Sequence, residues 1–472
     1  MSRVFGNLPN LNELLESPAL KQLVGRVSVN AVVAQAKQFL DGLRNDVQSA
    51  VQSAGVTIPT PAELAQRIAD WISSQQSQAF RPVINATGTL LPPGGRLPLA
   101  PDSLEALRQS AAGYANLPTD AAAGNAAKIV EDLLTKLTGA EAALVLNSES
   151  AALWLTFAAV APGKEVIVSR GALIAIDGQP FTELAPSAGT VLREVGTTNR
   201  TTLDDVERAL SEATAAILRV RPMEYSVVGQ SEQPATAELV PLARKQNAVL
   251  VDLLGGGALV DVNRFGIQGE PQVRDALAAG ADLVIFRGDD LLGGPSCGLI
   301  VGKKSLIEKL RRHPLAVGLG ADTLTLSAMA ATLQIYTTPD TVEARLPLLT
   351  LLSISPKNLK NRAERLAPQL AAITSRIAAA EVVTSFGLLR GVKVPGQELP
   401  GFGVALTPAR GSAEELAETF RRGEPGIVGR VVDGQLIFDL RSVFPRQDLE
   451  IAAAASALQP TAPPPVDPPV AT

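Results

Sequence analysis

Two adjacent carboxylates, Asp289 and Asp290, sit in the stretch "FRGDDLLGGPSCGLIVGKK" (286–304), between one apolar run ending at Phe286 and another from Gly298 to Val301. A strand, a tight glycine turn and a second strand hold a side chain rigidly. Paired acids can serve as general acid and base, although two acids alone make a poor metal site. Three more polar turns follow apolar runs, the place where open α/β sheets receive ligands. "LNSESAALW" (146–154) offers Asn147, Ser148 and Ser150 at a helix start, a setting that can bind phosphate; Glu149 opposes that use, and a plain capped helix competes with it. "VGTTNRT" (195–201) gathers Thr197, Thr198, Asn199 and Arg200, while Thr201 or Thr202 is placed to cap the next helix. "VDLLGGGALVD" (251–261) runs Asp252 into three glycines, which permit close approach to a ligand or make a tight turn.

Composition narrows what these residues can do. The chain has 472 residues, 46% hydrophobic and 19% charged, with a net charge of −5. That length exceeds one ordinary core and predicts two or three domains. A single cysteine, Cys297, excludes an internal disulfide framework and cysteine metal clusters. A single histidine, His313, lies in "RRHPLAVG" and reads as a surface residue at a helix end. The acidic balance argues against a broad nucleic-acid footprint, DNA included. No apolar run reaches the roughly 20 residues of a membrane span, and Met1–Asn10 lacks the pattern of a secretory signal. A soluble cytoplasmic protein is expected.

The elements that must position these turns divide the chain into four parts. Residues 1–80 read as amphipathic helices, the last opened by Thr60 as N-cap, Pro61 and Glu63. Over 81–335 the apolar runs "AALVLN", "EVIVS", "GTVLREV", "AAILRV", "AVLVDLL", "DLVIF" and "GLIVG" alternate with helices, predicting a mostly parallel seven-strand sheet. Residues 340–458 read as a small α+β domain. It contains a helix over "NLKNRAERLAPQLAAITSRIAAA" and strands at "GFGVALT", "GIVGRVV" and "QLIFDLR". The proline-rich tail, 459–472, is expected to be disordered.

Taken in order, "INATG", "GAEAALVLN", "GKEVIVSRG", "VGTTNRT", "FGIQGEP", "GDDLLGGPSCGLIVGKK", "LTLSAMAATLQIY" and "GEPGIVGRVVDGQLIFDLRSVFP" resemble the bacterial selenocysteine synthase family, the L-seryl-tRNA(Sec) selenium transferases. The opening "LPNLNELLESPALKQLVGR" is similar to that family's N-terminal helical domain. The resemblance implies an aspartate aminotransferase-like large domain (fold type I), pyridoxal phosphate as cofactor, tRNA(Sec) as partner and a homo-oligomer of at least two chains. Further association into rings through the N-terminal domain is also a family trait. It also implies a lysine in the motif Gly-Asp-Lys-Leu-Leu-Gly-Gly-Pro, and this chain has Asp290 there.

Other implied anchors differ as well. Aligned without gaps, Leu253 stands where the family places the aspartate that pairs with the pyridine nitrogen, and Asp252 is one residue earlier, facing the other side of a strand. The phosphate turn is "NSESA", with Glu149 intruding. A family loop shortens to "PPGGR", keeping Gly95 and Arg96, and "TDAAAGNAAK" lacks the expected arginine. Val317, Gly320 and Thr323 stand where cations of the substrate side are expected, and the charges of residues 1–80 balance. Lys303 and Lys304 lie at the far end of the second strand and read as solvated lysines rather than substitute imine formers.

Two classes of function follow. One is the family's enzyme, which converts seryl-tRNA(Sec) to selenocysteinyl-tRNA(Sec), with a lyase relative on small amino-sugar or amino-acid substrates as a variant. The other is a repurposed relative without imine chemistry, expected because an imine needs an amine that Asp290 does not have. In that reading Asn147, Ser148, Ser150, Asp252 and Asp289 line a vestigial cofactor pocket. Arg96, Thr197, Thr198, Asn199 and Arg200 then mark the substrate side.

Overall fold

The computed structural model describes residues 11–24, 29–50, 60–77, 81–114, 126–223, 225–394 and 397–458. The chain divides into two compact units, residues 1–83 with 424–426, and residues 84–423 with 427–472. Most of "TDAAAGNAAK" and the proline-rich tail lie outside the described residues.

The first unit is helical. Helices Leu11–Leu15, Pro18–Val24, Val29–Ala50 and Pro61–Ser77 bury Leu14, Leu20, Val32, Ala36, Leu40, Leu64, Ile68 and Ile72. Leu64, Ile68 and Ile72 recur every four residues, so they form one stripe of their helix. The Thr60 amide donates to Glu63 Oε2 at 2.9 Å and the Glu63 amide donates to Thr60 Oγ1 at 3.3 Å, the reciprocal cap expected from the sequence.

The second unit is built on a sheet of seven strands. They are β1 (Ala142–Leu146), β2 (Glu165–Ser169), β3 (Val191–Val195), β4 (Thr214–Val220), β5 (Val249–Gly255), β6 (Leu283–Arg287) and β7 (Gly298–Gly302), ordered β1-β7-β6-β5-β4-β2-β3. Only β7 runs antiparallel to its neighbours. Helices cover both faces, which is why the central strands read as near-continuous apolar runs, interrupted at Arg219 in β4 and Asp252 in β5. Leu253, Ile285 and Ile300 pack with the helix Glu149–Val160, while Val284, Phe286 and Leu299 pack on the opposite face with Leu326, Met329 and Leu333.

A second sheet is ordered Arg430–Val432, Gln435–Asp439, Leu399–Pro408, Ile377–Arg390 and Thr89–Leu91. Here the structure corrects the helix expected through residue 380. The helix Pro356–Ala371 stops early, and "IAAA" begins the 14-residue strand Ile377–Arg390. The alanines favour a helix locally, but antiparallel pairing with Leu399–Pro408 along nearly the whole strand overrides that preference.

One irregularity shapes the site. Ile285 pairs with Leu253 and Phe286 pairs with Gly255, so Leu254 is an extra residue in β5. The chain then turns through Gly255 at φ +67° and Gly257 at φ +68°. A Cβ on Gly257 would lie 2.5 Å from Phe286 Cδ2 and 2.9 Å from the Arg287 carbonyl oxygen. Gly257→Ala should therefore combine left-handed backbone strain with a clash against main chain, costing about 2–4 kcal/mol in chemical denaturation. A change below about 0.5 kcal/mol would show that the turn does not depend on this glycine.

Candidate functional site

The turn after β6 delivers Asp290 into a buried ionic cluster. Its carboxylate accepts from Arg390 Nε at 3.1 Å and Arg390 Nη2 at 2.5 Å, and from the Leu291 amide at 2.8 Å. The third nitrogen of the same guanidinium, Nη1, donates to Glu270 Oε1 at 2.8 Å. The side chains of Arg390, Asp290 and Glu270 are 14%, 11% and 7% exposed. Burial works against the Arg390 charge, but Asp290 and Glu270 outweigh it and hold the guanidinium above its ordinary pKa. Gly256 leaves room for this pair, since a Cβ there would stand 2.7 Å from Arg390 Nη2. The three-glycine turn thus packs against an ion pair of the protein itself.

A second cluster sits at the start of the helix Glu149–Val160. Ser148 caps this helix by accepting from the Ala151 amide at 3.1 Å. The Ser150 amide donates to Asp177 Oδ2 at 3.1 Å. Asp177 takes a left-handed conformation, φ +50°, between the short strands Ala175–Ile176 and Gln179–Pro180. Arg287, at the end of β6, bonds Asp177 at 3.0 Å and Asp289 at 3.0 Å, and lies 3.7 Å from Glu149 Oε2. These acids outweigh the effect of burial and raise the Arg287 pKa. Glu149 is 4% exposed, and burial first, then Asp177, Asp290 and Asp289, pushes its carboxyl up to about 8 despite Arg287.

The remaining positions singled out in the sequence have other duties. Asp252 accepts from Thr236 Oγ1 at 2.5 Å and Arg219 Nη1 at 3.3 Å, on the opposite side of β5 from Leu253. Leu253 is packed among apolar side chains. Thr197, Asn199 and Arg200 close an exposed turn: Thr197 bonds Arg200 main chain, Asn199 Nδ2 donates to the Gln230 carbonyl at 2.8 Å, and Arg200 Nε pairs with Glu232 at 2.7 Å. The Thr198 carbonyl lies against Gly171. None of the described bonds of this turn reaches Asp290. Asn147 and Arg96 are exposed, and Thr202, not Thr201, caps the following helix.

Lys303 pairs with Asp282 at 2.7 Å beyond the far end of β7, and Lys304 opens the helix Lys304–Arg312. His313 does end that helix, but it is half-buried, and its Nδ1 accepts from the Leu315 amide at 3.3 Å. Sequence reasoning missed Arg390, Glu270, Asp177 and Arg287 as members of the site. Arg287 and Glu270 stood inside "FRGDD" and "FGIQGEP"; Arg390 ends a strand that the sequence reading did not name, beyond the misread helix.

Pyridoxal phosphate, which the resemblance implies, can be tested against these residues. An imine needs an amine where Asp290 now forms an ion pair. A phosphate at the helix start would meet the Asp177 carboxylate on the Ser150 amide and Glu149 beside it. Both oxygens of Asp252 are occupied, and Leu253 is apolar. The residues present do not fit the group.

Two outcomes follow from the clusters. Arg390→Met leaves two buried carboxylates without their main partner and should cost about 3–5 kcal/mol in urea denaturation; adding Asp290→Leu should recover much of that loss. An equal loss in the double variant would show that Asp290 and Arg390 are not coupled. For Glu149 the folded pKa lies above the unfolded value, so the protonated group contributes stability below about pH 4.5 that is lost as pH rises to about 8. Glu149→Gln should match the wild type in Tm near pH 4.5 and exceed it at pH 8. Parallel Tm profiles would contradict a buried, protonated Glu149.

The family model described as L-seryl-tRNA selenium transferase matches residues 83–444. The L-seryl-tRNA(Sec) selenium transferase of Moorella thermoacetica is 38% identical over 452 residues, covering 95% of each chain. That of Carboxydothermus hydrogenoformans is 36% identical over 451 residues, covering 94% of this chain and 95% of the relative. Among solved structures, D-glucosaminate-6-phosphate ammonia-lyase superposes with a TM-score of 0.59 at 21% identity, over 82% of this chain and 98% of that one. The fold is the expected aspartate aminotransferase-like α/β architecture. By extent and identity, the chain belongs to the L-seryl-tRNA selenium transferase family.

Proposed function

We propose that this chain is a repurposed member of its family that keeps the scaffold and does not carry out imine chemistry with pyridoxal phosphate. One observation carries the reading: the Asp290 carboxylate is bound by two nitrogens of Arg390, which also holds Glu270. A carboxylate is not a nucleophilic amine and supplies no imine. Two further features support it, the Asp177 carboxylate on the Ser150 amide and the buried Glu149 beside it. The relatives are named for action on seryl-tRNA(Sec). In this reading any tRNA contact by this chain serves binding, not selenium transfer.

The test is chemical. The full-length protein, incubated with pyridoxal phosphate and reduced with borohydride, should yield no stoichiometric pyridoxyl-lysine on peptide mass mapping. A single stoichiometric adduct, at Lys303, Lys304 or elsewhere, would overturn the reading. Asp290→Lys alone should also fail to form one, because the new ammonium would face Arg390. Relieving that repulsion with Arg390→Met, and clearing the helix start with Asp177→Asn and Glu149→Asn, should be needed before an adduct appears at position 290.

A further inference from the structure

A cleft of about 400 Å³ opens beside the buried cluster, lined by Arg219, Arg221, Asp252, Asn263, Glu270 and Asp275 among others. Arg221, just beyond the end of β4, is the unusual group. Its side chain is only 26% exposed, yet among the described residues no hydrogen bond is made by its guanidinium. Among the described residues its one ion pair is loose, Nε to Glu270 Oε2 at 3.7 Å, beyond hydrogen-bond reach. Glu270 is already engaged by Arg390 at 2.8 Å. A guanidinium carries five donors, and those of Arg221 are not sealed off but open to the solvent of the cleft, where a ligand can reach them.

The acids around the cleft do not fill that need. Asp252 is taken by Thr236 and Arg219, and Asp275 accepts from the Gln272 amide at 3.2 Å as a helix cap. Burial lowers the Arg221 pKa, and repulsion from Arg219 and Arg390 adds to this, although Glu270 and Asp252 act in the other direction. Gly269 keeps the approach open, since even a Cβ there would stay 3.5 Å from Arg221 Nη2. An anion bridging the fork would supply acceptors and relieve the repulsion together. The volume lies within the range of small-molecule sites.

We propose that this cleft binds a small molecule through an oxyanion, a carboxylate or a phosphate ester, received by Arg221 with Arg219 beside it. The site stands apart from the imine question, because it uses neither Asp290 nor the helix start at Glu149. Equilibrium dialysis of the full-length protein against labelled inorganic phosphate and, separately, labelled acetate tests it, with ionic strength held constant by chloride. One probe should bind saturably with a stoichiometry near one per chain, and which probe binds separates phosphate esters from carboxylates. Arg221→Met should weaken that binding about 10- to 100-fold, the scale of a charge-assisted fork. Arg221→Lys, which keeps the charge and is the gentler change if the Met variant does not fold, should lose less. Arg376→Gln, an exposed arginine outside the cleft, should leave binding unchanged. Absence of saturable binding by either probe, or binding unaffected by both Arg221 substitutions, would overturn the proposal.

Discussion

Arg390 is the constraint on which the site depends. Its guanidinium comes from the last residue of the long strand in the second sheet and divides its donors between Asp290, in the turn after β6, and Glu270. Three charged groups that would each be costly to bury alone are tolerated because each answers another. The bulge at Leu254 and the bare Cα of Gly256 follow from this, since the turn after β5 must pass close to the ion pair. A buried pair of this kind contributes little net stability compared with apolar packing, but it fixes one arrangement, because every alternative strands a charge.

The same logic holds at the neighbouring cluster. Arg287 faces Asp177, Asp289 and, at longer range, Glu149. One guanidinium cannot neutralise three carboxylates, and the most buried of them retains its proton to about pH 8. Asp177 meanwhile gives the Ser150 amide a carboxylate partner where an external anion would otherwise fit. Taken together, the two clusters pair the charged residues of this region with one another. Arg221 is the exception, a cation at the edge of the same region whose guanidinium makes no hydrogen bond among the described residues.

Much of the framework was legible in sequence because it rests on strong local signals. All seven strands of the large sheet stand at predicted strand segments, most of them largely apolar because both faces are covered, and the Thr60–Glu63 cap is a short local pattern. The carboxylate at 290 was equally plain. Its ion pair was not, because the partner lies 100 residues away on a strand whose alanine-rich start imitates a helix. Asp177 gave no signal, since its role comes from a left-handed corner between two-residue strands. For Glu149 the charge was visible but its burial was not, so a repelling anion was expected where the structure holds a carboxyl with a raised pKa.

Identity of 38% across nearly the whole chain accounts for the shared architecture. Architecture is distributed over many buried apolar contacts, and no single substitution removes it. An imine depends on one nitrogen. What makes the change at 290 more than a missing side chain is its surroundings. Two like charges at about 4 Å in a partly buried site repel by about 4 kcal/mol at an effective dielectric of 20. An ammonium at 290 would meet that repulsion from Arg390 and would also deprive the guanidinium of the acceptor it now has. The present arrangement is therefore a local minimum in charge pairing: Asp290 and Arg390 are each favourable only given the other, and a change of either one alone leaves a buried charge without its partner.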